Sequence, residues 1–328
     1  MNKNVAVIGF GKIGPSLYKR LVRTGYNVPF IVISSGIYEP RLGRKIGERS
    51  DLKAHLNDVD VACLTISTKD NGETARDYIL EVLSLGIPIV ICEKGALSNF
   101  YSELKPYLNR IGYSATVGGG SGLLKLGKRA IALRKVEEIH AIVNASLNYF
   151  PSEYSINHNS EEVFQGAREL NYVEPGAKTI LEAFNIEANC DVPRKTAILF
   201  NVFGLGEIRA RDIKTSPISE ETLRELLRQS ENRRHVVSIR RKHKEEDCIA
   251  GFRYNVNGWH ISAGFKNITD DRVLQRLKLS GAISALMVCE SRSGLNGPFF
   301  MCGQGAGPQT TVASMIDDLE ELIKGEAK

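Results

Sequence analysis

Near the start of the chain, Gly9-Phe10-Gly11-Lys12-Ile13-Gly14 places glycines at a spacing that suits one kind of chemistry. They follow a short β-branched run, Val5 to Ile8, and open an amphipathic stretch from Ser16 to Thr24. In a strand–turn–helix setting the first glycine permits the tight turn. The second lets the backbone approach a pyrophosphate, and the third lets helix pack on strand. The helix N-terminus then offers free N–H groups and a partial positive charge to the phosphates. Gly9, Gly11, Lys12, Ile13 and Gly14 are the candidate dinucleotide contacts. The competing reading is a structural turn that binds no nucleotide.

A fold that prefers NAD usually carries an acidic residue at the end of its second strand, bonded to the ribose 2′-hydroxyl. Here that strand ends Ile33-Ser34-Ser35-Gly36, and Arg41, Arg44 and Lys45 follow. A missing acid with cations nearby favours a 2′-phosphate. Ser34, Ser35 and Arg41, with Arg44 beside it, are therefore assigned to NADP in preference to NAD. The alternative is that these cations face water. Thr65, just after the third strand, is a candidate cofactor contact or a strand-end turn residue.

These residues need elements to hold them. Val5–Ile8, Phe30–Ile33, Val61–Leu64 and Pro88–Ile91 read as buried parallel strands, with helical stretches between them, notably Asn71–Leu85. Such alternation predicts an α/β fold, a Rossmann-type doubly wound parallel sheet. The pattern changes near Gly118-Gly119-Gly120. Helical spacing over Leu123–Leu133 and a strand at Ile139–Val143 come next, then helices around Ser160–Leu170 and Pro193–Phe203. Strands at His235–Arg240, Cys248–Val256 and Trp259–Phe265 follow, the last two joined by Asn257-Gly258, a strong hairpin signal. Val288 and Pro298–Met301 add strand, and Thr310–Lys324 closes as a helix. The expected domains are a nucleotide-binding domain, 1–128 completed by 303–328, and an α+β substrate-binding and dimerisation domain, 129–302.

A chain of 328 residues, 42% hydrophobic and 25% charged, has material for two such domains. The net charge of +5 is dispersed. Its one basic block, Arg240-Arg241-Lys242-His243-Lys244, runs straight into Glu245-Glu246-Asp247. It reads as a solvated loop, not a nucleic-acid surface. No apolar run approaches the roughly 18 residues of a membrane span, and the first strand leaves no room for a signal peptide. Six scattered cysteines fit reduced thiols in the cytoplasm. The histidines show no metal-ligand spacing, so no metal site is assigned.

Several segments together resemble homoserine dehydrogenase, in the right order and over most of the chain. They are Gly9–Gly14, Ser34–Pro40, Ile91–Leu97 (ICEKGAL), Tyr113–Gly120 (YSATVGGG), Val143–Tyr149 (VNASLNY), Asp191–Lys195 (DVPRK) and Gly303–Thr311 (GQGAGPQTT). The likeness is to the short form, without a kinase or ACT domain. It implies NAD(P)-dependent interconversion of L-aspartate 4-semialdehyde and L-homoserine, in the threonine and methionine branch of biosynthesis, by a homodimer. Hydride delivery to an aldehyde builds negative charge on oxygen, so a proton donor or cation must sit close by. Lys195 matches the family's acid, and Lys94 a second lysine between cofactor and substrate. Asp191 and Lys195, four apart, share a face on a helix. Asp191 and Glu174, the latter in Tyr172-Val173-Glu174-Pro175, are implied to hold the substrate ammonium. Gly305 is implied at the cofactor, where a tight turn is the plainer reading. Asp191 ahead of Pro193 also reads as a helix N-cap, and Lys195 and Arg194 as ordinary exposed cations.

The chain departs from the family pattern in places. Ser114 stands where the family has a glutamate that helps hold a monovalent cation, so that cation site is left in question. Asn144-Ala145-Ser146 replaces Asn-Gly-Thr. The segment between Glu174 and Asp191 is longer. Asn189 replaces a glycine, a mild change because asparagine tolerates the left-handed conformation. These departures leave two other readings: a dehydrogenase for a different amino aldehyde or ketone, and a non-catalytic NADP-binding sensor.

Overall fold

In the computed structural model, residues 3–173, 176–290 and 298–325 are described. The chain divides into two units, Met1–Thr116 with Pro308–Lys328, and Val117–Gly307. The sequence pattern places these boundaries at 128 and 302. The difference has a packing cause. Helix Leu123–Ala132 lies on the second unit, where Gly127 has Leu286 and Phe203 directly against it. The last strand likewise runs on to Gln304, and the Gly305 N–H bonds the Ala282 carbonyl.

The first unit runs β1 (Val5–Ile8), α1 (Gly14–Arg23), β2 (Ile31–Ile33), β3 (Gly36–Glu39), β4 (Arg44–Gly47), β5 (Val61–Leu64), α2 (Glu73–Ser84), β6 (Ile89–Ile91), α3 (Gly95–Asn99) and β7 (Ile111–Gly112). The sheet order is β4-β3-β2-β1-β5-β6-β7. Strands β2, β1, β5, β6 and β7 pair in parallel, as the alternation of strands and helices predicts. Val5 and Val7 pack with Leu17 and Leu21 of α1 and with Val312, Met315 and Leu319 of the C-terminal helix Pro308–Lys324. Burial of each such side chain contributes roughly 1.5–3 kcal/mol. Antiparallel strands β3 and β4 were not legible as strand: the tight turn from β2 into β3 is Ser34-Ser35, without the Asn-Gly signature.

The second unit runs α4 (Leu123–Ala132), β8 (Val136–Ile142), α5 (Ala145–Asn157), α6 (Ser160–Glu169), α7 (Ile180–Ile186), α8 (Val192–Val202), α9 (Glu220–Arg228), β9 (Arg233–Arg240), β10 (Cys248–Val256), β11 (Trp259–Asn267), β12 (Ile283–Glu290) and β13 (Phe299–Gln304). The strands form one antiparallel sheet, β10-β11-β9-β8-β12-β13. Asn257 and Gly258 both take positive φ, 49° and 75°, and close the expected hairpin. Helices cover one sheet face, with Phe150, Phe184 and Phe265 stacked in series. Among the described residues, no helix is long and apolar enough to cross a membrane.

The other sheet face carries a buried ionic network, which corrects the reading of the basic block. Arg241 to Lys244 are exposed, but Arg240 ends β9 inside the unit. It pairs with Glu246 and, at 3.3 Å, with Glu138. Glu246 also pairs with Lys266 at 2.7 Å, and Lys266 donates to Ser238 at 2.7 Å. Burial alone would raise the Glu246 pKa, but Lys266 and Arg240 outweigh it and hold the carboxyl at about 2. Strand alternation hides such a residue, because a charge at a strand end reads as loop.

His235, also on β9, is buried with its ring edge-on to Phe265, and neither ring nitrogen bonds to another residue. Burial, and secondarily the charge of Lys266, push its pKa down to about 3. The unfolded chain therefore binds a proton below about pH 6.5 that the folded chain refuses. Stability falls as pH drops from 6.5 toward 3. His235→Phe is expected to remove a slope of up to about 1.4 kcal/mol per pH unit in that window. Urea titrations at pH 7, 5.5 and 4 check this; an unchanged slope assigns the acid sensitivity to other groups.

Candidate functional site

In the first unit each glycine of the N-terminal loop has its own reason. Gly9 has φ +101°, and a Cβ there would lie 2.7 Å from the Ile66 nitrogen. A Cβ on Gly14 would lie 2.4 Å from the Gly9 carbonyl oxygen. At Gly11 nothing lies within 4 Å of where a Cβ would be. Only Gly11 faces open space, as a backbone approached by a pyrophosphate requires, so the residues present fit a dinucleotide. The N-terminus of α1 has no side-chain cap at Ile13 and no acidic residue in its first turn, so no carboxylate of that turn opposes a phosphate. Lys12 is exposed, whereas Ile13 packs on the core. Thr65 is buried, and its hydroxyl donates to the Gly9 carbonyl at 2.7 Å. It ties the loop after β5 to the glycine turn.

Lys94 is half-buried and starts α3. Its neighbour Glu93 is buried and accepts from the Gly95 N–H at 2.5 Å, the Ala96 N–H at 2.9 Å, and the Thr68 hydroxyl. This fixes the backbone on both sides of Lys94. Gly72 is pressed against Gly95, where a Cβ would meet backbone at 2.1 Å.

The ribose end requires a correction. Ile33 pairs with Gly36, so exposed Ser34 and Ser35 form a two-residue turn at the carboxyl end of β2. Dinucleotides bind outside the carboxyl ends of parallel strands. Strand β3 then runs back the other way. Glu39, one residue past the Tyr38–Ile31 pair, faces Arg44. Arg41 and Arg44 therefore lie at the amino end of β2, and Arg44 leans to Glu39 at 4.0 Å. Nothing in the sequence marks the reversal of the chain at Ser34-Ser35, so closeness in sequence suggests closeness to the ribose. Ser114 is also re-placed: its N–H and hydroxyl each donate to buried Asp318 at 2.7 Å, within the same unit.

In the second unit four buried side chains meet. The Lys195 ammonium lies 2.6 Å from Asp191 Oδ2. The Asn144 amide donates to the same Asp191 oxygen at 2.8 Å and to Glu187 Oε2 at 2.5 Å. Its own oxygen accepts from the Leu147 N–H and caps α5. Asp191 is 5% exposed and Lys195 9%, so Lys195 is not an ordinary surface cation. The cluster thus brings two carboxylates, an ammonium and an amide together.

The backbone explains the convergence. Helix α7 does not stop at Asp191. It passes through a π-helical turn, Glu187–Asp191, into α8. Asp191 has helical φ/ψ and makes no cap bond, which corrects the N-cap reading. Pro193 lacks the N–H for the i−4 carbonyl, and a widened turn accommodates that loss. Asn189 sits in this turn with a helical backbone; it is not among the positive-φ residues. Glu187 was missed. The spacing Glu187–Asp191–Lys195 was visible, but only a helix unbroken ahead of Pro193 gives it meaning.

Glu174 lies outside the described residues. Two residues before it, the Tyr172 carbonyl accepts from the Ser146 hydroxyl at 2.5 Å, and Gln304 donates to the Tyr172 hydroxyl at 3.1 Å. At Gly305 a Cβ would collide with Ser284 Oγ at 2.0 Å, and its carbonyl abuts Gly119, so packing within this unit already demands that glycine.

A glycine turn of dinucleotide-binding form in a parallel sheet, in one chain with a buried lysine–carboxylate cluster, is the equipment that a nicotinamide-dependent oxidoreductase requires. The chain belongs to the homoserine dehydrogenase family, whose family model matches residues 123–319. It is similar to homoserine dehydrogenase of Methanocaldococcus jannaschii, 24% identical over 295 residues, 88% of this chain and 80% of that one. It is also similar to homoserine dehydrogenase of Synechocystis, 26% identical over 169 residues, half of this chain but only 37% of the relative's length. Among solved structures, a hyperthermophilic archaeal homoserine dehydrogenase in complex with NADPH superposes with a TM-score of 0.67 at 17% identity, covering 98% of this chain and 97% of that one.

Proposed function

We propose that the protein interconverts L-aspartate 4-semialdehyde and L-homoserine with NADP(H), in the threonine and methionine branch of amino-acid biosynthesis. The observation that supports this best is the buried Lys195–Asp191 pair inside the family-matched region. The nicotinamide, when bound, supplies or accepts the hydride. As hydride reaches the aldehyde carbon, its oxygen takes on negative charge, and the Lys195 ammonium gives it a proton. In the reverse direction Lys195 takes the hydroxyl proton. Asp191 fixes the ammonium in place. The carboxylates of Asp191 and Glu187 offer acceptors to a substrate ammonium, with Glu174 a further proposed contact. Lys94 is proposed as the second catalytic lysine. A spectrophotometric assay of homoserine oxidation with NADP and with NAD tests the proposal; no reduction of either cofactor overturns it.

The second unit is also proposed to dimerise through its sheet. Edge strands β10 and β13 are supporting features, since an exposed edge needs cover. Sedimentation at micromolar concentration is expected to give a dimer, and a monomer there contradicts it.

A further inference from the structure

We infer that Lys45, held in check by Glu48, decides between NADP and NAD. The inference rests on the dinucleotide site proposed above and concerns the first unit alone. With Arg41 and Arg44 at the wrong end of β2, the question is which cation the fold delivers to the right end. Strand β4 runs antiparallel to β3 and therefore returns toward the carboxyl end of β2. Lys45 pairs with Tyr38, and Gly47 with Ile37. The side chain of Lys45 reaches further: its Cε lies 2.5 Å and its Nζ 3.3 Å from where a Cβ on Gly36 would be. Gly36 is the residue that follows the Ser34-Ser35 turn. Its φ of +135° and the lysine stem beside it both require glycine.

The turn thus gathers one cation and three hydroxyls at the carboxyl end of β2. The Ser35 hydroxyl is 3.0 Å from that of Tyr38, Tyr38 is the register partner of Lys45, and Ser34 is exposed alongside. Hydroxyls and an ammonium suit a phosphomonoester. A ribose 2′-hydroxyl needs no cation.

Glu48 adds the competing term. Its carboxylate accepts from Lys45 at 2.6 Å. A 2′-phosphate must share that ammonium or displace the glutamate, whereas NAD meets a lysine already neutralised and a carboxylate able to accept a ribose hydroxyl. The chain therefore takes both cofactors and prefers NADP, and added salt weakens that preference because Lys45 and Glu48 are solvent-facing.

The test measures NADPH and NADH dissociation constants by nicotinamide fluorescence, without amino-acid substrate. Lys45→Met is expected to lower the ratio of NADPH to NADH affinity at least tenfold. Glu48→Gln keeps a side-chain acceptor for the adjoining turn and is expected to raise the ratio severalfold. Arg41→Met is expected to leave it within twofold. A ratio unmoved by Lys45→Met, or lowered by Arg41→Met, overturns the inference. The two levels separate cleanly. If both cofactors bind and the ratio responds, but homoserine is not oxidised, the proposed reaction fails and this assignment stands. If homoserine is oxidised and the ratio does not respond, this assignment fails alone. If neither cofactor binds the unmodified protein, both fail.

Discussion

Lys195→Ala is expected to lower turnover of aspartate semialdehyde by on the order of a hundredfold or more, the range for a positioned proton donor. The ammonium is nearly buried and lies 2.6 Å from Asp191, so its position is set before substrate arrives. Removing it also leaves Asp191 and Glu187 facing each other across one asparagine, and a broken buried pair costs about 3–5 kcal/mol. Loss of activity by misfolding must therefore be separated from loss of the acid. The fluorescence of Trp259, on β11 of the same unit, does this, because an unchanged spectrum shows that the unit has folded. Turnover is expected to collapse while NADPH affinity stays within a fewfold. Glu187→Gln is expected to behave differently, raising KM for the amino substrate about tenfold or more while kcat changes less, since it removes a proposed carboxylate contact to the substrate ammonium and no proton donor. An active Lys195→Ala enzyme removes this lysine from the mechanism.

Gly14→Ala is expected to weaken NADPH binding at least tenfold and to lower stability by about 1–3 kcal/mol, the usual cost of overpacking. The new Cβ lies 2.4 Å from the Gly9 carbonyl oxygen, and a backbone atom cannot swing aside as a side-chain tip can. Either α1 or the glycine turn must shift, and with it the N–H groups that face the phosphates. Gly11→Ala is the informative contrast, because its Cβ meets no protein atom. Its thermal midpoint is expected to match the unmodified protein while NADPH affinity falls, so that the loss reports the cofactor's approach and not the fold. If Gly11→Ala binds NADPH normally, the pyrophosphate does not pass over this turn.

Much of the first unit was legible from local pattern. Val5–Ile8 and Val61–Leu64 appear where their apolar runs end, because a strand buried on both faces has a continuous apolar sequence. The Asn257-Gly258 hairpin follows from the need for two positive φ values. Helix α5 was not legible. It is buried over most of its length and contains Pro151, so it shows neither an apolar stripe nor an uninterrupted helical sequence.

The chemistry divides in the same way. The amino-acid sequence by itself determined the dinucleotide turn, because three glycines answer to local sterics, and it marked Lys195 and Asp191 through their spacing and family likeness. It did not determine what surrounds them. That Asp191 continues a helix, that Glu187 joins it through Asn144, and that Arg41 lies at the amino end of β2 while the Lys45 side chain reaches Gly36 at the other are matters of register and of contacts between distant segments. Charged side chains carry no periodic signal of their own. Where a charge ends up depends on strand direction, and only the folded sheet sets that.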